Sequence, residues 1–443
     1  MLSILAHQTY AKLFAAQVIA LIGTGLMTVA LGLLAYDLAG ARAGTVLGTA
    51  LAIKMIVYVS LAPIANAAAA LLPRKAVLIG ADLLRASVAL ALPFIDEVWH
   101  VYALIFVLQA ASATFTPAFQ ALIPDILRNE ADYTRALSLS RLAYDLENLL
   151  SPALAGALLL VTSYHWLFVG TVAGFLASAV LVGLAALPGH GAPKTSRSFG
   201  DRLTRGLRIY LATPRLRGLL ALNLAAAAAG AFVIVNTVVI VRAGYGASEV
   251  GVAYALAAFG GGSMAAALGL PQILDGVPDR PVMIGAGALL AALTMGHGLW
   301  AMAYGLPHWG AFLAVWAASG MFYSAILTPS GRLLRRSSNA EDRPALFAAQ
   351  FALSHAAWLI TYPLAGWVGE ALGLPATMIL LGGLAALGAG IAVRVWPAAD
   401  PQELIHDHPG LPGNHPHLRE HGRAPHRHIF VIDDAHRAWP SSG

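Results

Sequence analysis

The chain has 443 residues, of which 58% are hydrophobic and 11% charged, and its mean hydropathy is +0.71. A soluble fold carries about 25% charged residues to cover its surface, so a water-soluble enzyme or binding protein is excluded and lipid is the expected solvent. Zero cysteines exclude a disulfide framework, a thiolate metal site and a cysteine nucleophile, and the net charge of +5 matters less than where the basic residues fall.

A membrane span takes about 20 largely apolar residues. In chain order, such runs predict helices at 13–36, 44–67, 76–95, 101–123, 136–161 and 165–187. A second group follows at 217–240, 249–270, 281–303, 309–330, 345–369 and 372–396. The expected fold is an all-α membrane protein of twelve transmembrane helices in two six-helix bundles, 1–187 and 217–396. A basic linker, 188–216, opens Pro-Gly-His-Gly-Ala-Pro and separates them. Residues 397–443 turn polar and proline-rich. With the N-terminus cytoplasmic, 22 of the lysines and arginines fall on the cytoplasmic side, against Arg42 and Arg242 opposite. The positive-inside rule then places both termini in the cytoplasm.

The halves share a faint repeat. At an offset of 210, residues 129–156 and 339–366 match at six positions: Asn129/Asn339, Asp132/Asp342, Leu149/Leu359, Leu154/Leu364, Ala155/Ala365 and Gly156/Gly366. Each stretch covers a cytoplasmic loop and the helix after it, as duplicated transporters do.

Ionisable groups inside a bilayer cost about 2.5–3.5 kcal/mol on insertion scales and usually face a partner or a wet cavity. In the fifth span Arg141, Asp145 and Asn148 recur at i, i+4 and i+7 on one stripe. Glu147 points to another side, and Lys54 lies deep in the second span. These read either as structural ion pairs, Arg141 with Asp145 and Lys54 with Glu147, or as a substrate and proton site centred on Asp145. The repeat sets Asp145 opposite His355 of the eleventh span. A carboxylate and an imidazole at equivalent depths would suit divalent nickel, cobalt, zinc or iron. Gln350, Tyr362, Asn223 and Asn236 are further polar candidates.

Eight of the fifteen histidines lie in the tail: His406, His408, His415, His417, His421, His426, His428 and His436. Six form His-x-His pairs among prolines, glycines and aspartates. Such a segment is expected to be disordered without a ligand and to wrap a borderline cation, as substrate or tail ligand. Nothing in the chain implies a permanently bound cofactor, a nucleic-acid partner, a phosphate loop for ATP, or an enzyme.

Twelve spans, the six-plus-six split and the basic central loop resemble the major facilitator superfamily over about residues 8–396. That resemblance implies a gating loop after the second span. Here Arg74, Lys75, Asp82 and Arg85 follow Pro63, while Ala70 and Leu71 stand where the family's Asp-Arg pair is expected. Ser151-Pro152-Ala-Leu-Ala-Gly156 is similar to the Gly-Pro-x-x-Gly-Gly run of proton-coupled exporters. The stretches 136–152 and 350–366 look closest to the enterobactin-exporter-like group, and closer still to nickel-resistance exporters with histidine-rich tails. The implied function is proton-coupled export of a divalent cation, nickel foremost, by a monomer in the inner (plasma) membrane. Efflux of an organic molecule such as a siderophore or drug, and a membrane metal sensor, are the alternatives.

Overall fold

A computed structural model describes residues 2–69, 73–127, 132, 136, 139–140, 143, 147, 151, 154–187, 199–274, 276–339, 342–401, 403–407, 418–419 and 425–440. The first helices are α1 (Gln8–Ala39), α2 (Ala43–Ala69), α3 (Arg74–Ala91), α4 (Val98–Ile126) and α5 (His165–Leu184). The second set is α6 (Phe199–Ala212), α7 (Pro214–Val239), α8 (Glu249–Leu274), α9 (Asp279–Tyr304) and α10 (Trp309–Leu327). It ends with α11 (Ser330–Arg336), α12 (Arg343–Pro363), α13 (Gly369–Leu372) and α14 (Leu374–Val395).

Among the described residues, ten stretches are long and apolar enough to cross a membrane. One of them, Gln8–Ser60, covers α1 and α2 as far as Ser60, with a 3-10 turn at Gly40–Arg42 between the two helices. The predicted fifth span, 136–161, falls partly outside the described residues. Helices apolar on every face are the solution for a chain that satisfies its backbone polar groups in lipid. Direction changes rest on glycine: Gly40 after α1 and Gly305 after α9 hold φ of 56° and 79°, a region that a side chain disfavours.

Within the first half α1 packs on α5, α3 on α4 and α5, and α2 on α4. In the second half α14 packs on α7 and α9, and α10 on α8. The start of α1 lies by the end of α5, where Lys12 donates to the Leu184 carbonyl. The end of α14 lies by the start of α7, where Trp396 meets Gly218; this end is called here the near end. At the opposite, far end, Phe94, Trp99, Trp166, Trp300, Tyr304 and Trp367 are exposed. A belt of outward aromatics at one level is the pattern of a membrane–water boundary.

The two halves meet through α2 with α12 and α7, and their far ends are closed. Tyr164 donates its hydroxyl to Asp37 at 2.6 Å and its N–H to Glu249 of the other half at 3.3 Å. Arg242 sits 5.3 Å over the Tyr36 ring. Asn236 donates to the Ala365 carbonyl at 2.9 Å, and the Trp367 indole to Thr49 at 3.0 Å.

The glycines of the sequence repeat explain how the backbones come so close. A Cβ on Gly366 would stand 2.5 Å from the Gly44 carbonyl oxygen, and one on Gly156 would stand 3.0 Å from that of Ala253. Each of these glycines therefore brings its half against the other, and the alanines before them, Ala155 and Ala365, are fully buried. Leucine at Gly366 is expected to cost about 1–3 kcal/mol by overpacking. A lowered thermal midpoint of the detergent-purified protein would report it.

One segment gains detail and one expectation needs correction. The basic linker contains a helix, α6, whose Ile209 and Tyr210 are buried in the near-end core of the second half. The tail, expected to lack fixed structure, is ordered over its described residues. Strands β1 (Glu403–His406) and β2 (His426–Ile429) pair antiparallel, with Glu403 opposite Ile429 and His406 opposite His426. The physical reason is apolar anchoring: Phe430 and Ile432 are buried against the second half, joined by Leu404 and Trp439. Arg215 lies 5.0 Å over the Trp439 ring.

Candidate functional site

Between the halves, the polar side chains come from different helices. Lys54 of α2 and Glu147 interact electrostatically, deep among protein atoms yet each still partly accessible. The buried Tyr362 of α12 also feels the Glu147 charge. Lys54 and Glu147 thus act on each other electrostatically, though no direct ion-pair contact joins them among the described residues. Arg141, Asp145 and Asn148 lie outside the described residues, as does the proposed juxtaposition of Asp145 and His355.

His355 sits nearer the near end. Its ring is 3.9 Å from that of Phe351 and 5.8 Å from that of Tyr58 on α2, with Nδ1 2.7 Å from the Phe351 carbonyl. An Nδ1–H donated to that carbonyl turns Nε2 outward from its own helix. Sequence reading missed an aromatic wall on this side. Phe259, Tyr323, Trp358 and Tyr362 form a chain of ring contacts at 5.6, 6.4 and 4.9 Å. The signal available was the i, i+4 spacing of Trp358 and Tyr362, which puts both on one face of α12.

Other candidates have structural partners. Asn236 bonds to the Ala365 carbonyl, and Gln350 accepts the Tyr210 hydroxyl of α6. Asn223 is buried with neither amide atom hydrogen-bonded among the described residues. Asp82 and Arg85 belong to helix α3, not to a loop. Arg85 donates to Asp82, and Ser178 of α5 donates to the same carboxylate at 2.7 Å. The Arg85 guanidinium lies between the rings of Phe115 and Phe175, at 4.4 and 4.5 Å. That arrangement ties α3, α4 and α5 together inside one half. Lys75 donates to the Ala185 carbonyl at 3.1 Å; the side chain of Arg74 lies outside the described residues.

The tail builds a second constellation. One ligand atom each from His406, His426 and His428 lie within 4.8 Å of one another. His406 and His426 are cross-strand partners, and His428 follows two residues on, so the β period puts it on the same face as His426. His436 brings its Nε2 to 3.1 Å from that of His406. Neighbouring ligands of a tetrahedral ion with metal–nitrogen bonds of ~2.0–2.1 Å stand ~3.3 Å apart. The other ring nitrogens are anchored: Nδ1 of His406 on the Leu404 carbonyl at 3.0 Å, of His428 on that of Ile429 at 2.7 Å, and of His436 on Asp433 at 2.8 Å. Such outer partners fix the tautomer that leaves Nε2 as the ligand atom. Burial alone would push the Asp433 carboxyl up, but hydrogen bonds from the His436 side chain and backbone and from the Ala435 N–H outweigh it and hold it below its usual range. His408, His415, His417 and His421 lie outside the described residues.

A single guanidinium joins this constellation to the helices. Arg205 of α6 donates through two nitrogens to Asp342 beside α12, and through Nη1 to Asp434 at 2.6 Å. The bonds to Asp342, then to Asp434, raise its pKa above the usual arginine value.

Comparison with known proteins agrees with this architecture. A sequence model described as Major Facilitator Superfamily matches residues 13–305 and again 220–420. An uncharacterized MFS-type transporter of Bacillus subtilis (strain 168), YfiS, is 28% identical over 122 residues, which is 28% of this chain. The match spans 29% of YfiS, under a third of that relative's length. A bacterial homologue of the human lysosomal transporter Spinster, inward-facing and unoccupied, superposes with a TM-score of 0.66 at 13% identity. It covers 88% of this chain and 97% of its own. A variant of the nucleoside transporter NupG gives 0.65 at 12% identity, covering 88% and 100%. A POT family transporter bound to 5-aminolevulinic acid gives 0.65 at 14%, covering 88% and 96%. At these identities the likeness is one of fold; the family match is what points to a multi-pass membrane transporter rather than an enzyme.

Proposed function

The chain belongs to the major facilitator superfamily, and from that premise we propose a secondary transporter that exports a divalent metal cation, nickel foremost, in exchange for protons. In this reading twelve spans cross the inner membrane and both termini face the cytoplasm. The observation that carries it is the convergence of His406, His426 and His428, with His436 beside them, on a strand pair docked under the second half. Imidazole ligands without thiolate favour nickel, cobalt or zinc over copper(I). The tail gathers the cation at the near end. The cation then enters between the halves while the far ends are held shut by the Gly366, Gly156 and Tyr164 contacts. There Glu147, with Asp145 and His355, exchanges it for protons, and Lys54 supplies a fixed positive charge that speeds its release. Asp145, Arg141 and Asn148 enter on sequence grounds alone.

The aromatic wall of Phe259, Tyr323, Trp358 and Tyr362 favours a second reading, efflux of an organic molecule, in which stacking replaces coordination. Purified protein in proteoliposomes separates the two. With an imposed proton gradient, radiolabelled nickel is expected to move against its own gradient, and collapsing the proton gradient is expected to stop it. Gradient-driven movement of an aromatic dye with no nickel flux would overturn the metal reading and leave the second.

A further inference from the structure

We infer that the near end of the second half carries a binding pocket for a phosphate group, with an anionic phospholipid headgroup as its favoured source. A cavity of about 780 Å³ lies between the α8–α9 connection, α11 and the tail. Its walls include Val277, Pro278, Arg332, Arg335, Ile429 and Val431. A smaller cavity of about 330 Å³ adjoins it through Pro278, Asp279 and Arg336, and adds Arg280 and Asp400. The described lining of the pair thus holds four arginines against two aspartates; Asp275, next in sequence to the wall, lies outside the described residues.

The arginines are not equally committed. Arg332 donates through Nε to Asp279 at 2.9 Å and through Nη1 to the Leu274 carbonyl at 3.3 Å. Arg336 lies 3.3 Å from the Asp400 carboxylate, which Arg215 also approaches at 3.3 Å. Arg280 is held by the carbonyls of Trp396 and Val393 at 2.8 and 3.1 Å. Arg335 differs: its Nε reaches only the Gly331 carbonyl of its own helix, at 3.4 Å, and it has no carboxylate partner among the described residues. A phosphate entering the pocket would find this guanidinium uncommitted, in the fork geometry that suits its oxygens.

The surroundings say which phosphate. The cavity opens at the foot of α8, whose Leu268 and Ile273 are 72% and 51% exposed and so turn to the acyl chains. Val277, Pro278 and the tail's Ile429 and Val431 give the pocket an apolar rim. Arginines at a helix end above an apolar face are the elements of a headgroup site. The strand alternation contributes here too: His426 and His428 share one face of β2, while Ile429 on the other lines the cavity.

The test uses the full chain, purified in a neutral detergent and supplied with phosphatidylglycerol, phosphatidylcholine or inorganic phosphate. Saturating phosphatidylglycerol is expected to raise the thermal midpoint by about 5 °C over phosphatidylcholine. Arg335→Gln is expected to remove most of that rise, and Arg335→Lys to retain part of it. Arg335 is exposed and its loss orphans no partner, so both variants should fold. Native mass spectrometry should show the retained lipid lost in step with the thermal effect. If inorganic phosphate gives the rise and phosphatidylglycerol adds nothing, the phosphate site stands and its source is soluble. Equal midpoints in all three ligands, or an Arg335→Gln protein that responds like the parent, would overturn the proposal.

Discussion

Glutamine in place of Glu147 is expected to abolish proton-driven transport and, by itself, to destabilise the protein. Removing the carboxylate leaves the Lys54 ammonium without its counter-charge between the halves. Breaking one side of a buried pair costs about 3–5 kcal/mol, because the remaining charge stays desolvated. A single variant therefore cannot separate a missing transport group from a damaged fold. Lys54→Gln combined with Glu147→Gln does so: both charges are gone, so inserted protein and thermal midpoint should recover. If the carboxylate exchanges cation for proton, flux in proteoliposomes stays near background in the double variant. Recovery of flux together with stability would make the pair a structural tie and move the transport site to Asp145 and His355.

The second large effect is expected in the tail. Alanine at both His406 and His428 leaves one imidazole of the three-histidine group, with His436 unable to close a site alone. Losing an outer partner of a metal ligand costs about 10–100-fold in affinity, so losing two ligands themselves should weaken nickel binding by at least about a hundredfold. Calorimetric titration of the purified full chain measures this directly. Asp433→Asn serves as a graded comparison, since it keeps all four rings and only loosens the one that Asp433 orients. Undiminished nickel affinity in the double-alanine protein would place the metal on the histidines outside the described residues instead.

Much of the helical framework was legible because lipid imposes one simple demand. The apolar runs at 249–270, 281–303 and 309–330 became Glu249–Leu274, Asp279–Tyr304 and Trp309–Leu327, with ends shifted by a few residues where polar side chains extend a helix beyond its apolar length. The repeat was legible too, and its paired glycines stand where the backbones of the two halves come together. The Lys54–Glu147 interaction was legible from the cost of isolated charge in the membrane. Less visible were elements whose apolar residues are few. Among its described side chains helix α6 buries Ile209 and Tyr210, within a segment read as a basic linker from its charge. The strands were hidden because histidine supplied half of their alternation, and a tract of histidine and proline reads as unstructured. Asp82 and Arg85 fall in the predicted helix 76–95; what the sequence did not show is that they tie helices together within one half.

The pairing of His406 with His426 across β1 and β2 has a consequence for how this tail can vary. The ladder fixes both ends of the 407–425 segment, and within it Leu418 is buried, so added length on either side of Leu418 enters stability mainly through loop closure. Doubling a flexible loop costs only about 0.6 kcal/mol. Short insertions on either side of Leu418 should therefore be nearly neutral for the three-histidine group. One residue added between His426 and His428 is another matter, since it turns an imaging of alternate faces by half a period and sends one imidazole to the opposite side of the strand. The tail is in this sense a clasp whose two jaws must keep register, while the length between them is the less constrained quantity.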